Sequence, residues 1–260
     1  MKTLIKKILD ILIDFWATRR HFYFPKKFTW KWKASMLSGQ YEPETTILFK
    51  KIIKPNMTVI DIGAHIGYYT RLFSRLVGEK GQILSFEPDP DNFRLLQKNT
   101  SSLKNVKLFN LAVSDQTDEI NFYKVKNSTG CHSIIETDNA EKITVSATTI
   151  DNFISQHPGI KVDTVKIDIE GGETKALLGM ENLLRTAPRL KLVSELSSDA
   201  LKSANISPTA FLNQLRSYGL NLFEILDNGK TIPLDKNKII KEDGQLIKKS
   251  INLLAIKNEK

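Results

Sequence analysis

Short apolar segments typical of β-strands alternate with helical segments from about residue 44 onwards, and this alternation constrains the fold more than any other feature. The sequence predicts strands at 57–62, 82–87, 106–113, 162–169, 190–196, 220–226 and 251–256. It predicts helices at 68–77, 88–100, 149–155, 173–185 and 208–218, and a hairpin at 119–124 and 142–147. This order indicates an α/β fold with a mostly parallel sheet covered by helices, in which ligands bind beyond the carboxyl ends of the strands.

The net charge of +9 is concentrated at the two ends of the 260-residue chain. Residues 1–33 carry nine basic and two acidic residues, and residues 236–260 carry seven basic and three acidic ones. The middle of the chain, residues 34–235, therefore has a net charge of −2. A near-neutral body argues against a basic nucleic-acid groove through a catalytic domain and favours a local attachment surface.

The N-terminal segment differs in character from the rest, so we expect a basic and aromatic helical segment at 1–45 and a catalytic domain at 46–260. Apolar residues recur at helical spacing from Leu4 to Trp16, which predicts an amphipathic helix. Eight aromatic residues, interleaved with Lys and Arg, follow between Phe15 and Trp32. Residues 1–33 have three possible contacts. They can pack on protein, either their own domain or a second copy in a homodimer. They can bind an anionic membrane surface, or they can bind nucleic acid.

The single cysteine, Cys131, excludes an internal disulfide and any Cys-x-x-Cys metal or redox motif. We therefore expect a reducing, cytoplasmic location, with peripheral membrane attachment as an open addition. No apolar run approaches the roughly 20 residues that span a bilayer.

The strongest motif occupies residues 59–67, where a strand ends and a helix begins. It consists of Val59, Ile60, Asp61, Ile62, Gly63, Ala64, His65, Ile66 and Gly67. Glycines at such a turn let backbone N–H groups approach an anionic ligand, and the spacing differs from the dinucleotide fingerprint. An acid two residues before the first glycine suits a cationic amino group beside a carboxylate, as in the methionine half of S-adenosylmethionine. A tight strand-to-helix turn without a ligand is the alternative.

Polar residues also follow the next two predicted strands. Glu87 ends the second strand and can accept hydrogen bonds from both hydroxyls of a ribose, while Pro88 offers an apolar surface to a purine. Ser114 and Asp115 follow the third strand and can accept the amino group of an adenine. The alternatives are a helix N-terminal acid for Glu87 and a turn residue for Asp115.

Acidic residues gather at the ends of the fourth and fifth predicted strands. Asp168, Glu170 and Glu173 follow the fourth strand, and Glu195 lies on the fifth. One carboxylate can act as the general base for an alcohol, or carboxylates on neighbouring strands can hold Mg²⁺. For Glu173 we favour a structural place in the first turn of the next helix.

Five motifs in order resemble the FkbM-type S-adenosylmethionine-dependent methyltransferases over about residues 55–225. They begin at Asp61 (Asp-Ile-Gly-Ala-His-Ile-Gly-Tyr-Tyr-Thr), Phe86 (Phe-Glu-Pro), Ala112 (Ala-Val-Ser-Asp), Thr148 (Thr-Thr-Ile-Asp) and Lys166 (Lys-Ile-Asp-Ile-Glu-Gly-Gly-Glu). The resemblance implies the class I methyltransferase fold, Rossmann-like, with a seven-stranded sheet whose last strand is antiparallel. It also implies O-methylation of a hydroxyl on a glycan or a small-molecule acceptor.

The resemblance assigns roles to residues as follows. It places Asp61, Gly63 and Gly67 at the methionine half of the cofactor, Glu87 at the ribose, Ser114 and Asp115 at the adenine, and Asp168 at the sulfonium. Ala64, His65 and Pro88 complete the expected cofactor site, and Asp168, Glu170 and Glu195 are the catalytic candidates. His65 stands where the family commonly has Asn, and a neutral imidazole still offers one donor and one acceptor. A divalent metal on Asp168 and Glu195 stays open.

Two other functions compete with this interpretation. The basic isoelectric point favours a nucleic-acid methyltransferase, but the acidic middle of the chain and the lack of a Pro-Pro-Tyr or Pro-Cys motif argue against it. A non-catalytic, membrane-attached module on the same scaffold is disfavoured because every cofactor-facing residue is retained.

Overall fold

The computed structural model describes residues 2–26, 28–125, 130, 132–136 and 140–257. The helices are α1 (Lys2–Arg19), α2 (Trp30–Ser38), α3 (Pro43–Ile52), α4 (Tyr68–Val77), α5 (Pro90–Thr100), α6 (Ile150–Ser155), α7 (Glu173–Leu178), α8 (Glu181–Thr186), α9 (Ser198–Ser203), α10 (Pro208–Ser217) and α11 (Lys236–Ile239). The strands are β1 (Thr58–Ile62), β2 (Gln82–Phe86), β3 (Val106–Phe109), β4 (Ala112–Val113), β5 (Glu119–Val125), β6 (Ala140–Thr148), β7 (Thr164–Ile167), β8 (Lys191–Ser197), β9 (Leu220–Ile225), β10 (Thr231–Pro233) and β11 (Ser250–Lys257).

The main sheet has the strand order β10-β9-β11-β8-β7-β1-β2-β3. Strands β3, β2, β1, β7 and β8 are parallel, and β11 runs antiparallel to its neighbours β8 and β9. The predicted class I methyltransferase fold, with its antiparallel last strand, is confirmed. The strand order reverses between β1 and β7, which is where a ligand crevice is expected.

The sheet has one strand more than the seven expected. β10 pairs antiparallel with the outer edge of β9. The turn between them is closed by the N–H of Leu226, which donates to the carbonyl of Lys230 at 2.8 Å, and Gly229 occupies a left-handed conformation with φ 64°. The strand extends the sheet at the edge remote from β1 and leaves the predicted core topology unchanged.

The predicted third strand, 106–113, is wrong in its second half. β3 ends at Phe109, where the side-chain amide of Asn110 donates to the carbonyls of Glu87 at 2.8 Å and Pro88 at 3.0 Å. The chain then leaves the main sheet, and β4 pairs with β6 in a separate three-stranded sheet, β4-β6-β5. The predicted hairpin is the antiparallel pair of β5 and β6.

The single helix predicted at 173–185 is also wrong, because Gly179 divides it into α7 and α8. A Cβ at Gly179 would lie 1.9 Å from the carbonyl oxygen of Ser114. Only a glycine permits the backbone after β4 to approach this closely. The helix is therefore interrupted where it contacts the backbone of Ser114.

Part of the N-terminal segment packs against the catalytic domain. Phe22 and Met36 are buried in a cluster with Ile66, next to the turn after β1. The expected domain boundary at 45/46 falls inside α3, which buries Leu48 and Phe49 against the sheet. The division into two domains stays a prediction. Among the described residues, no helix has the length and apolar character needed to cross a membrane.

Candidate active site

A cavity of about 550 Å³ opens beyond the carboxyl ends of β1, β2, β7 and β8. This volume lies in the usual range for small-molecule sites. The polar part of its wall includes His65, Glu87, Lys166, Asp168, Glu170 and Glu195. The N-terminal segment contributes Phe28, Trp32, Tyr41 and Glu42 to the same wall. The cavity therefore joins the predicted cofactor residues to a part of the chain outside the recognised motifs.

Gly63 begins the turn after β1 and lines the cavity. Its φ is 75°, and a Cβ there would lie 1.9 Å from the carbonyl oxygen of Asp168. The N–H groups of Gly63 and Ala64 both donate to the carbonyl of Phe86 at 3.0 Å. The close approach of β1 and β7 is therefore enough to require a glycine at this position. The sequence predicted only a ligand as the reason.

His65 follows in the same turn and lies in the wall of the cavity. Its φ is 51°, a left-handed conformation that Asn and His adopt more readily than most residues. Its ring centroid lies 5.8 Å from that of Phe28. Burial lowers the pKa of the imidazole to about 4. The ring is therefore neutral at physiological pH. The predicted contact of His65 with a cofactor stays a prediction.

Asp61 and Gly67 lie behind the cavity wall and not in its lining. Gly67 caps α4 with φ 90°, and a Cβ would lie 2.8 Å from Cδ1 of Leu96. Asp61 is fully buried and accepts a hydrogen bond of 2.6 Å from Oγ1 of Thr70. Its Oδ1 has no hydrogen-bond partner within the part of the chain that the structure describes and lies 3.6 Å from Nζ of Lys166. The predicted contacts of Asp61 and Gly67 with the methionine half stay predictions.

Glu87 and Pro88 lie where the sequence places them, in the wall beyond β2. The carboxylate of Glu87 accepts the N–H of His65 at 2.8 Å on Oε2 and the N–H of Asp89 at 2.9 Å on Oε1. Burial raises its pKa to about 7, against the opposing effect of these two hydrogen bonds. The side chain of Asn92 gives the carboxylate a third hydrogen bond. Of the roughly four lone-pair sites of a carboxylate, one is therefore left for a ribose hydroxyl.

Ser114 and Asp115 do not line this cavity, because the chain leaves the main sheet after Phe109. Oγ of Ser114 donates to Oδ1 of Asp115 at 2.9 Å, and Asp115 is exposed. Leu111, Ala112 and Val113 take their place in the wall. The predicted contacts of Ser114 and Asp115 with the adenine stay predictions.

The catalytic candidates Asp168, Glu170 and Glu195 all line the cavity. Burial, with the nearby Asp168 and Glu195, raises the pKa of Glu170 to about 8. Burial also raises the pKa of Glu195. Glu173 is turned away and accepts the N–H groups of Ile169 at 3.1 Å and Gly171 at 2.9 Å, which is the structural role that the sequence favoured.

Two charged residues that the sequence analysis did not single out lie at the centre of this cluster. Nζ of Lys166 is 3.4 Å from Oδ2 of Asp168 and 3.6 Å from Oδ1 of Asp61. Oε2 of Glu42 accepts a 2.7 Å hydrogen bond from the hydroxyl of Tyr69. Burial and the charge of Asp168 raise the pKa of Glu42 to about 7. The pairing of Lys166 with Asp61 follows from the parallel register of β1 and β7.

The residues present fit S-adenosylmethionine. Glu87 would hold the ribose, the apolar wall from Leu111 to Val113 would cover the purine, and the cluster around Asp168 would face the sulfonium. The metal alternative has weaker support, since no group of three or more His, Cys, Asp or Glu side chains among the described residues is arranged to hold a metal ion. Asp168 and Glu195 would have to complete a coordination sphere with water or acceptor oxygens.

Comparison with known proteins gives consistent results. The chain is 26% identical over 185 residues to the 2-O-methyltransferase NoeI of Sinorhizobium fredii, covering 64% of this chain and 74% of that protein. It is 24% identical over 156 residues to the hexuronic acid methyltransferase AglP of Haloferax volcanii, covering 60% of this chain and 62% of that protein. The crystal structure of a SAM-dependent methyltransferase from Aquifex aeolicus superposes with a TM-score of 0.47 at 15% identity, covering 86% of this chain and 97% of that one.

The family assignment rests on the part of the chain that contains the site. The model of the methyltransferase FkbM domain matches residues 61–220, from the buried Asp61 of β1 to the start of β9. That range contains Glu87, Asp168, Glu170 and Glu195 and excludes Glu42. Together with the sheet topology, the match shows that the chain belongs to the FkbM-domain methyltransferases and is an S-adenosylmethionine-dependent enzyme.

Proposed function

We propose that the enzyme transfers a methyl group to a hydroxyl of a sugar within a glycan. The names of the two relatives above, one a 2-O-methyltransferase and the other acting on hexuronic acid, support this class of acceptor. The observation that carries the proposal is the composition of the part of the cavity wall that the N-terminal segment and β8 contribute. There, the aromatic rings of Phe28, Trp32 and Tyr41 lie with the carboxylates of Glu42 and Glu195.

This combination suits a sugar because a pyranose ring has apolar C–H faces and a polar rim of hydroxyls. Aromatic rings pack against the apolar faces, and carboxylates accept hydrogen bonds from the hydroxyls. The ring centroids of Phe28 and Trp32 are 6.4 Å apart, and those of Trp32 and Tyr41 are 5.7 Å apart. The three rings thus form one continuous apolar surface.

The cofactor supplies an electrophilic methyl group on a sulfonium sulfur. The protein must then orient the acceptor hydroxyl, exclude water and accept the proton that the oxygen loses. Four carboxylates are placed for the last step: Glu42, Asp168, Glu170 and Glu195. Asp168 is already engaged by the ammonium of Lys166, and Glu170 holds its proton at neutral pH because burial raises its pKa to about 8.

Glu42 fits the role of general base best among the four. Its pKa of about 7 lies near the working pH, where a base is most effective. Its backbone has φ 41°, a strained conformation for a residue with a side chain, and the hydroxyl of Tyr69 fixes the carboxylate in place. Asp168, Glu170 and Glu195 then orient the acceptor through its other hydroxyls.

The acceptor class can be tested by mass spectrometry of glycans and RNA from a strain that lacks the gene. We expect sugar residues to lose the mass of one methylene group and to regain it with the wild-type gene but not with Glu87→Ala. Unchanged glycans together with a loss of methylated nucleosides would overturn the proposal in favour of a nucleic-acid acceptor. The cytoplasmic location predicted from the sequence stays a prediction, and so does the role of residues 1–33 in a homodimer or at a membrane.

A further inference from the structure

The acidic residues of α1 are turned towards the protein. Asp10 and Asp14 are the only two acids in this helix. Nζ of Lys33, on α2, lies 2.8 Å from Oδ1 of Asp14 and 3.5 Å from Oδ1 of Asp10. Lys33 itself is buried, as is Ala17 on the same side of α1. The contact between α1 and α2 is therefore made by the charged side of an amphipathic helix.

The apolar side of α1 faces outward as a result. Ile8, Ile11, Leu12 and Phe15 are 48%, 67%, 57% and 60% exposed. Their spacing of three and four residues places them in one stripe along the helix, which we call the outer stripe. A surface helix ordinarily buries this side on its own domain and exposes its charges. The reversed orientation leaves an apolar surface that needs a partner.

Basic side chains border the outer stripe. The guanidinium of Arg19 lies 4.8 Å from the ring centroid of Phe15, and that of Arg20 lies 3.8 Å from that of Trp16. Both acids of α1 are paired with Lys33, although the side chain of Asp14 stays 53% exposed. The outer stripe itself combines apolar, aromatic and basic side chains.

We propose that the outer stripe of α1 docks on an anionic lipid membrane, with the helix lying in the plane of the interface. Apolar and aromatic side chains would enter the region between headgroups and acyl chains. Arg19 and Arg20 would reach lipid phosphates. α1 lies on the bilayer and does not span it, in keeping with its length and charge.

A second copy of the chain fits this surface less well. In a symmetric dimer the same surface meets itself, so Arg19 and Arg20 would face a surface that carries the same basic residues. The acids that could neutralise them are already bound to Lys33. Anionic phospholipids supply the complementary charge, and for this reason we choose the membrane as the occupant.

The test uses the full chain and vesicles of phosphatidylcholine with or without phosphatidylglycerol, measured by flotation at low salt. We expect binding to the anionic vesicles alone, weakened by added salt, with a blue shift of tryptophan fluorescence. Phe15→Ser should weaken the apparent affinity by about tenfold or more, since it removes a large apolar group from the interface. Ile247→Ser is the matched control, because Ile247 is 51% exposed elsewhere on the protein, and it should leave binding unchanged.

The melting temperature and the affinity for S-adenosylmethionine show whether Phe15→Ser acts on vesicle binding alone. Melting temperature and S-adenosylmethionine affinity of Phe15→Ser should equal those of the wild type, because the side chain is exposed and remote from the cavity wall. Absence of binding to anionic vesicles at low salt, or equal binding of Phe15→Ser, would overturn the proposal. A wild-type dimer in solution that Phe15→Ser converts to a monomer would overturn it in favour of a second copy. None of these outcomes depends on the identity of the methyl acceptor.

Discussion

The ammonium nitrogen of Lys166 lies 3.4 Å from Oδ2 of Asp168, so the carboxylate at the end of β7 is paired with a lysine from the same strand. The side chain of Lys166 is 6% exposed and also approaches Asp61, which is fully buried. Burial alone would lower the pKa of Lys166, but the charges of Asp168, Asp61 and Glu42 raise it above its ordinary value. The lysine therefore stays charged and holds together the centre of the candidate active site.

Replacing Lys166 by methionine should destabilise the fold. Lys166→Met leaves Asp61 buried without its counter-charge, and breaking a buried pair in this way costs about 3–5 kcal/mol. Denaturant unfolding measures the loss. Lys191→Met, on the neighbouring strand β8 and only partly buried, is the control and should cost much less. Equal losses for the two variants would show that the pairing of Lys166 with Asp61 contributes little.

Asp168→Asn should affect turnover more than folding. Asp61 remains as a partner of Lys166, so we expect a nearly unchanged melting temperature, while turnover falls on the order of 10²-fold. Full activity of this variant would exclude a direct role for Asp168. Inhibition by EDTA that Mg²⁺ reverses would favour Asp168 and Glu195 as metal ligands. Insensitivity to EDTA would favour orientation of the acceptor without a metal.

Gly63→Ala should be far more damaging than the same change at another left-handed glycine. A Cβ at Gly63 would overlap the carbonyl of Asp168, whereas one at Gly244, with φ 83°, meets nothing within 4 Å. Gly244→Ala should cost only the backbone strain of about 1–2 kcal/mol. Comparison of the two unfolding free energies isolates the overlap at Gly63. Similar values would mean that β7 moves away without cost.

The sequence predicts the fold well because strand and helix periodicity is local and the motifs fall at strand ends. It fails where a contact is distant in sequence. The division of 106–113 into β3 and β4 depends on the side chain of Asn110 reaching back to Glu87 and Pro88. The break at Gly179 depends on the backbone of Ser114. Neither contact has a periodic pattern that a single sequence reveals.

The sequence predicted one part of the candidate active site and missed another, and the difference again depends on whether the contact is local to the fold. Glu87, Asp168, Glu170 and Glu195 follow strands that share one sheet edge, so their convergence follows from the fold. Glu42 belongs to a segment outside the family motifs, and only the packing of residues 20–41 brings it to the cavity. That packing includes the N–H of Tyr23, which donates to Oδ1 of Asn99 at 2.6 Å, and Arg71, which donates to the carbonyl of His21 at 2.8 Å.

The free energy of unfolding should fall as the pH rises from the ordinary pKa of Glu87 to its pKa in the folded protein. Its pKa in the folded protein is raised from an ordinary 4.5 to about 7, because it is buried. Between these values the folded state holds a proton that the unfolded state has lost, so the unfolding free energy decreases with rising pH, by up to about 3 kcal/mol for this group.

Denaturant unfolding between pH 4.5 and pH 8 tests this sign. Glu87→Gln should flatten the pH dependence relative to the wild type, whereas Glu119→Gln, at an exposed position, should leave it unchanged. The remaining slope has two parts of opposite sign. Asp61, Glu42, Glu170, Glu173 and Glu195, whose pKa values burial also raises, lower the unfolding free energy as the pH rises. His65, whose pKa burial lowers to about 4, raises it up to about pH 6.5, so the difference between wild type and Glu87→Gln is the quantity that isolates Glu87. A wild-type protein that becomes more stable over this range, with Glu87→Gln following it in parallel, would contradict the assignment.

Glu42→Gln should abolish most of the methyl transfer without loss of cofactor binding. The amide keeps the size of the side chain and can still accept the hydroxyl of Tyr69, but it cannot accept a proton from the acceptor. Loss of a general base lowers turnover by about 10²–10⁴-fold. In a complemented deletion strain, the methylated sugars should fall to the level of the empty vector, while calorimetry of the purified variant shows unchanged affinity for S-adenosylmethionine.

Glu44→Gln is the matched control for this experiment, because Glu44 lies in the first turn of the same helix and outside the cavity wall. It should restore full methylation. If Glu42→Gln also restores full methylation, the proton goes to another carboxylate, and Glu170→Gln and Glu195→Gln become the decisive variants. If Glu42→Gln instead loses affinity for the cofactor, Glu42 acts at the donor side of the cavity and the role of general base is wrong.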